Sequence, residues 1–393
     1  MNMNNKNWVS VWGNAVSIAE HHPEAYAKYI TLRYPVYIPF DGDTLRFTFD
    51  NYCGSEAVTV TRATVSAATS PVYEKMPLAC PCKKETICDI TFSKNESVTM
   101  EAHQTAVSDP VSFPVKKGMT LTVSLYFADF TLMQSAVLVT GPLSKGFFSL
   151  GDQTHADALP MDTTKTTNWF YFLSNIELMT AEENHTVICY GDSITAGAWP
   201  DYLTLLARQN PDNHTAFIRR ATSGSRVLRQ YECITYDSYG LKGTNRFPHE
   251  IPTTGADTVI IQQGINDIIH PIGIETNPFR PMSDLPTAKE LIDGYRYYIE
   301  EAKKLHLKVY MGTLLPIFGW RTYATFRDDL RNELNAWIRS AKEIDGCIDF
   351  DLALRGEDNP SAFREGFDSG DHLHPSSKAY QAMAECAYEV LRK

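Results

Sequence analysis

At 393 residues, with 43% hydrophobic and 21% charged side chains, the chain has the composition of a packed globular protein rather than a disordered or fibrous one, and its length suits two domains of about 150 residues or more each. Its 36 Lys and Arg against 47 Asp and Glu leave a formal charge of -11, the wrong sign for holding a phosphate backbone, so nucleic acid is excluded as an expected partner. No stretch approaches the ~18–20 apolar residues of a membrane span, and the N-terminal M-N-M-N-N-K-N-W lacks the apolar core of a signal peptide, so a cytoplasmic chain is expected, or a secreted one if a leader preceded this sequence.

Between about residues 30 and 180 the apolar residues alternate with period two over short segments: Thr44 to Asp50, Ala57 to Val65, Met119 to Phe127 and Trp169 to Ser174. Strands of this kind, separated by Gly, Pro, Asn and Asp and without helical periodicity between them, predict an antiparallel, jelly-roll-like β-sandwich. Eight cysteines are too few for a disulfide framework in so long a chain. Cys80, Cys82 and Cys88 lack the paired C-x2-C of a zinc site, which predicts free thiols on a surface loop.

From His185 the texture changes. Short, nearly continuous apolar runs at Thr186 to Tyr190, Asp257 to Gln262, Leu307 to Leu314 and Cys347 to Phe350 alternate with amphipathic helices. One helix opens on the capping box Thr287 to Glu290, a second covers roughly Tyr323 to Lys342, and a third follows Pro375. Alternating strands and helices predict a parallel sheet covered on both faces, so the domains are expected at 1–182 (β-sandwich) and 183–393 (α/β). In such sheets ligands bind at the carboxyl ends of the strands.

Four stretches at those ends could hold chemistry. In Y-G-D-S-I-T-A-G, Gly191 permits a sharp turn and Ser193 sits where strand passes to helix, as a nucleophile or simply as a helix cap. In A-T-S-G-S-R, Gly224 could present an unhindered N–H, and in Q-Q-G-I-N-D the amide of Asn266 could reach the same oxygen, although plain turns would use the same residues. The stretch D-S-G-D-H-L-H-P-S-S holds Asp368, Asp371, His372 and His374. An imidazole that takes a serine proton needs a carboxylate to fix its tautomer, and Asp371 with His374 fits on one loop; a metal clip made of all four residues is the weaker alternative. Asp192, Arg226, His270 and His372 flank these residues and are the candidate substrate contacts. The connection from Arg226 to Phe247, with Arg229, Tyr231, Tyr236, Tyr239 and Arg246, runs over the same strand ends, where its tyrosines either set specificity or pack beneath the loop.

Together the four stretches resemble the signature blocks of the SGNH hydrolases, the GDSL-type esterase and lipase superfamily: G-D-S at Gly191 to Ser193, T-S-G-S-R around Gly224, G-I-N-D around Asn266, and D-H-L-H-P with Asp371 and His374. The resemblance implies a three-layer, flavodoxin-like catalytic domain. It also implies the roles: Ser193 as nucleophile, His374 as base and then acid, Asp371 as its orienter, and the N–H groups of Ser193 and Gly224 with Asn266 Nδ2 as the oxyanion hole. Ala196 and Arg219 depart from the commoner pattern, which bears on loop anchoring and substrate preference. W-V-S-V-W at Trp8 to Trp12, Leu45 to Val60, and C-I-D-F-D at Cys347 to Asp351 look like longer bacterial members with an N-terminal β-domain.

No G-x-S-x-G, H-E-x-x-H, phosphate-binding G-K-[ST] or G-x-G-x-x-G occurs, and no cofactor or metal is expected. The expected reaction is hydrolysis of a small acyl ester, such as acetyl on a sugar or oligosaccharide. Lipase, lysophospholipase or thioesterase activity is the alternative. A non-catalytic binding protein on a retired hydrolase fold is opposed by four intact blocks. The sequence bears no signature of an oligomeric state.

Overall fold

The structure is a computed structural model that describes residues 6–19 and 25–392, so the first five residues of M-N-M-N-N-K-N-W lie outside the described residues. The chain forms two compact units, Met1–Thr186 with Arg208–Ile218, and Val187–Ala207 with Arg219–Lys393.

The first unit is built on two antiparallel sheets. One runs in the order Lys6–Gly13, Leu173–Ala181, Gly42–Asp50, Thr105–Val107, with Val111–Val115 also on Gly42–Asp50. The other runs Lys165–Thr167, Gly146–Leu150, Ile30–Tyr37, Thr120–Phe127, Arg62–Ala67, Cys88–Ile90. The alternation does what a half-buried strand requires in Gly42–Asp50, where Leu45, Phe47 and Phe49 are buried and the residues between them partly exposed.

Thr120–Phe127 is different: every one of its residues is buried, the polar ones included. Loops satisfy that polar face. Arg33 on the neighbouring strand donates to Ser124 Oγ (2.9 Å) and to the carbonyls of Cys80 (3.2 Å), Gln153 (2.8 Å) and Ala156 (2.8 Å). Ser66 and Thr122 share a hydrogen bond of 2.6 Å. A buried guanidinium is tolerable only when its donors are met in this way. The same packing corrects the expectation for the cysteines. All eight are free thiols, but Cys80 and Cys82 are buried, because their loop lies over this polar face rather than on the surface.

Two expected strands each divide. Ala57 to Val65 breaks at Thr61 into Val58–Val60, which pairs with Val98–Met100, and Arg62–Ala67, which pairs with Thr120–Phe127. Trp169 to Ser174 breaks at Phe172, whose φ of 60° turns the chain from Trp169–Tyr171 to Leu173–Ala181. In both cases the alternation shifts where the chain changes ladder: the buried positions pass from Val58 and Val60 to Ala63 and Val65, and Phe172 and Leu173 are buried in succession.

A five-stranded sheet runs in the order Thr215–Ala221, His185–Gly191, Ala256–Gln262, Lys308–Gly312, Gly346–Ile348, with the last three strands paired in parallel; all of it but the opening residues of the first two of these strands falls in the second unit. Numbered along the chain this order is 2-1-3-4-5, the flavodoxin-like winding, whose ligand crevice opens at the carboxyl ends of the first and third strands where the winding reverses. Val187 to Tyr190 and Val259 to Ile261 are buried, as central strands with both faces covered must be. Helices intervene. Ala288–Lys304 begins with the expected capping box, Thr287 Oγ1 accepting from Glu290 N while Glu290 Oε2 accepts from Thr287 N. Thr325–Ser340 is a little shorter than expected, and Ser376 caps Ser377–Leu391.

Candidate active site

Ser193 lies just past the first strand of the parallel sheet. At Gly191 a Cβ would fall 2.3 Å from Gln262 O, so the strand can reach the turn only without a side chain. Asp192 then caps the short helix Ser193–Ala196, accepting from Ile194 N at 3.1 Å. The capping role open to Ser193 is thus taken by its neighbour, and the serine hydroxyl faces His374 instead. Asp192 does not fit the expectation of a substrate contact. It is fully buried, its Oδ2 has no hydrogen-bond partner, and burial raises its carboxyl to about 7 despite the opposing pull of Ile194 N–H and Arg246.

Asp371 and His374 occupy one turn before the last helix, in a segment pinned by Ser369 N to His374 O (3.0 Å) and Ser376 N to Phe367 O (2.8 Å). Asp371 Oδ1 accepts from the N–H groups of Leu373 (3.0 Å) and His374 (2.8 Å), and Oδ2 lies 2.6 Å from His374 Nδ1. Partial burial would raise this carboxyl; the hydrogen bonds from the His374 ring and backbone and from Leu373 outweigh it and hold Asp371 at about 2. His374 Nε2 is 2.9 Å from Ser193 Oγ. With Nδ1 donating to the carboxylate, Nε2 is left as an acceptor for the serine proton.

The rival pair is also formed. Asp368 Oδ2 contacts His372 Nδ1, and its Oδ1 accepts from Gly370 N (2.7 Å) and His372 N (2.9 Å). Two Asp–His pairs therefore interleave on one loop, and only His374 meets the serine. Asp368 anchors His372, which keeps a half-exposed ring and packs against Gly319, where a Cβ would lie 2.7 Å from His372 Cγ. Among the described residues, no group of three His, Cys, Asp or Glu converges as metal ligands.

The candidate oxyanion donors are the N–H groups of Ser193 and Gly224 and the side-chain amide of Asn266. Gly224 has a φ of 77°, and a Cβ there would sit 2.2 Å from the Tyr239 ring. Among the described residues, the N–H groups of Ser193 and Gly224 donate to no protein acceptor. Asn266 is buried and gives one amide hydrogen to Ser225 O at 3.0 Å, which fixes the plane of the amide. Its neighbour Asp267, whose structural part the sequence did not signal, accepts from Val227 N (2.8 Å) and Leu228 N (3.0 Å) and so ties the Gly224 loop to the Asn266 helix. Burial raises Asp267 to about 6. Arg219, one of the departures from the family pattern, anchors the turn after the serine through Asp201 (2.9 Å), Gly197 O (3.0 Å) and Thr195 O (3.1 Å).

Arg226 and His270 are placed deeper than expected of rim residues. Arg226 is 2% exposed, paired with Asp284 at 3.0 Å and stacked 4.4 Å from the centre of Tyr231. His270 is 7% exposed, with Tyr239 stacked at 5.2 Å; burial, together with Arg280, Arg226 and Arg321, holds its pKa well below the ordinary value, so the ring is neutral. Motif adjacency signals neighbourhood along the chain and says nothing of depth.

A flavodoxin-like parallel sheet with serine, histidine, aspartate, glycine and asparagine gathered at its switch point defines a domain of the ester-hydrolase class. Residues 189–382 match the model of the GDSL-like lipase/acylhydrolase family. Similar solved structures include a GDSL-like lipase from Bacteroides thetaiotaomicron VPI-5482, with 20% identity, 54% of this chain and 89% of that chain covered, and a TM-score of 0.40. A variant of an acetyl xylan esterase from Geobacillus stearothermophilus is similar at 17% identity, covering 53% and 96%, with a TM-score of 0.40. A member of the lipolytic G-D-S-L family from Veillonella parvula DSM 2008 is similar at 18% identity, covering 53% and 99%, with a TM-score of 0.36. No curated protein matches the chain. Among the described residues, no helix is long and apolar enough to cross a membrane.

Proposed function

We propose that this protein is a serine esterase that releases small acyl groups, acetyl above all, from a carbohydrate alcohol by way of an acyl-enzyme. The observation behind the reading is the unbroken hydrogen-bond line from Asp371 Oδ2 through the His374 ring to Ser193 Oγ, with links of 2.6 and 2.9 Å. His374 takes the serine proton as Oγ adds to the ester carbonyl, while Asp371, held as a carboxylate, stabilises the imidazolium. The developing oxyanion is received by the N–H groups of Ser193 and Gly224 and by Asn266 Nδ2, and His374 then returns the proton to the leaving alcohol. Water enters by the same route in reverse and frees the acid.

A polar alcohol is favoured by the Tyr and Arg side chains of the loop from Arg226 to Phe247, which supply both ring faces and donors. A second reading, a longer-chain acyl ester, is favoured by Ile234, Ile274, Phe279 and Met282, which are exposed on the loops flanking the same strand ends. Two measurements test the proposal. A fluorophosphonate should label Ser193 alone in the peptide map; an adduct on another serine overturns the assignment. A series of p-nitrophenyl esters from C2 to C12, run beside acetylated oligosaccharides, should peak at C2 with acetate release from the sugars, whereas a peak at C8 or beyond selects the second reading.

A further inference from the structure

Beside the Gly224 and Asn266 end of the site, the protein buries positive charge that its own carboxylates do not match. Arg280 is 6% exposed, its Nε has no hydrogen-bond partner, and among the described residues no carboxylate pairs with it. Its guanidinium lies over Tyr236, 4.3 Å from the ring centre, and 5.8 Å from that of Tyr231. Nearby, Asp284 is shared by Arg226 (3.0 Å) and Arg229 (3.8 Å), so nothing is left of it for Arg280. Two more polar atoms of the cluster are buried without partners: Tyr231 Oη and His270 Nδ1, on rings 5.9 Å apart.

Burying a cation with no counter-charge, and donors with no acceptor, is costly, and groups arranged in this way mark a place for a ligand that supplies what is missing. Arg280 and Tyr231 are donors, and His270 can donate from Nδ1 in the appropriate tautomer, so the missing group is an acceptor with negative charge and a planar fork to match a guanidinium. The cluster reaches the reacting centre through Tyr239, which stacks on Tyr236 at 5.7 Å and on His270 at 5.2 Å, and whose edge closes on Gly224.

We propose that Arg280, Tyr231 and His270 form a subsite for a carboxylate borne by the ester substrate. The proposal rests on the serine-esterase reading of the neighbouring centre and narrows its substrate class to anionic esters. The carboxylate can belong to the acyl part, as in a dicarboxylic half-ester, or to the alcohol part, as in an acetylated hexuronate.

Both sources are tested by pairing each charged ester with a neutral counterpart: p-nitrophenyl succinate against p-nitrophenyl valerate, and acetylated methyl glucuronide against acetylated methyl glucoside. In the wild type, kcat/KM for the charged member of one pair should exceed that of its counterpart by about 10- to 100-fold, the range expected of a hydrogen bond to a charged group. Arg280→Gln should collapse that ratio to near unity and Arg280→Lys should restore part of it. The pair that responds identifies which side of the ester bears the charge. Calorimetric titration with free succinate and free glucuronate adds a readout independent of turnover, in which one of them should bind the wild type and fail to bind Arg280→Gln. If Arg280→Gln does not fold, Tyr231→Phe, which removes only the hydroxyl, should lower the same ratio by a smaller factor. Equal kcat/KM within both pairs, with no anion binding, overturns the subsite. Arg280-dependent anion binding in a protein that cleaves none of the four esters leaves the subsite standing and overturns the esterase reading instead.

Discussion

At the scale of single residues, the proposed chemistry depends on side chains whose orientation is settled before a substrate arrives. Asn266 shows how: one amide hydrogen is committed to Ser225 O, so the other has a fixed direction. Asn266→Ala should lower kcat on p-nitrophenyl acetate by roughly 10²- to 10³-fold, as loss of a single oxyanion donor does, with KM little changed. A change confined to KM would contradict the role. The residues that meet at the centre were legible because each belongs to a short block whose chemistry constrains its neighbours: a glycine before the serine, a carboxylate three positions before the histidine. Asp192 and Arg226 lie deeper than their motifs suggest, because the same blocks contain residues that hold the surrounding chain in place. Asp192 caps the helix its neighbour opens, and Arg226 pairs with Asp284, 58 residues further along. Depth depends on such distant partners, which no local pattern records.

Elements were legible where local rules and tertiary packing agree. The capping box at Thr287 and Glu290 is entirely local, and it formed as read. Thr287→Ala should cost about 1 kcal/mol and lower the melting temperature by about 2–4 °C, with Thr287→Ser retaining most of the stability, measured by thermal denaturation. An unchanged melting temperature would show that packing of Ala288–Lys304 alone holds the helix. Elements were less legible where one strand-like run serves two partners. In A-V-T-V-T-R-A-T-V the buried apolar positions pass from Val58 and Val60 to Ala63 and Val65, a slip of one residue at Thr61 and Arg62 that marks where the chain leaves one ladder for another and that is easily overlooked in so short a run. The buried polar face of Thr120–Phe127 was hidden for a related reason: its cover comes from loops around residues 80 and 155, which have no period at all.

At the scale of the whole molecule, the change from period-two alternation to buried apolar runs separated the two architectures. The assignment of Arg208–Ile218 to the first unit, within the span of the second along the chain, follows from packing that the pattern does not contain. Stability as a function of pH also belongs to this scale. Asp192 and Asp267 are raised to about 7 and about 6 by burial, against about 3.9 for an unfolded aspartate. The folded chain therefore holds protons that the unfolded chain releases, and the contribution of each group, full below pH ~4, is lost as the pH rises toward its folded value. His270, lowered, works in the opposite sense up to about 6.5, and the depressed Asp371 acts only between about 2 and 4. Comparison with Asp192→Asn isolates one contribution: the variant keeps an acceptor for Ile194 N, and its melting temperature should gain on the wild type progressively between pH ~4 and ~7. A constant difference across that interval would show that Asp192 is ionised throughout.

The hydrogen bond between His374 and Ser193 joins positions 181 residues apart, whereas Asp371 and His374 meet within a single turn. The proposed base and orienter therefore need only a local turn to meet, whereas the proposed nucleophile meets them by closing a very long loop, whose entropy must be overcome by the rest of the sheet. Ester turnover is in this sense a clock for folding. On the proposed chemistry, a chain with its helices and hairpins formed but residues 368–376 still unseated should be chemically silent, and the onset of hydrolysis during refolding should coincide with the seating of that segment.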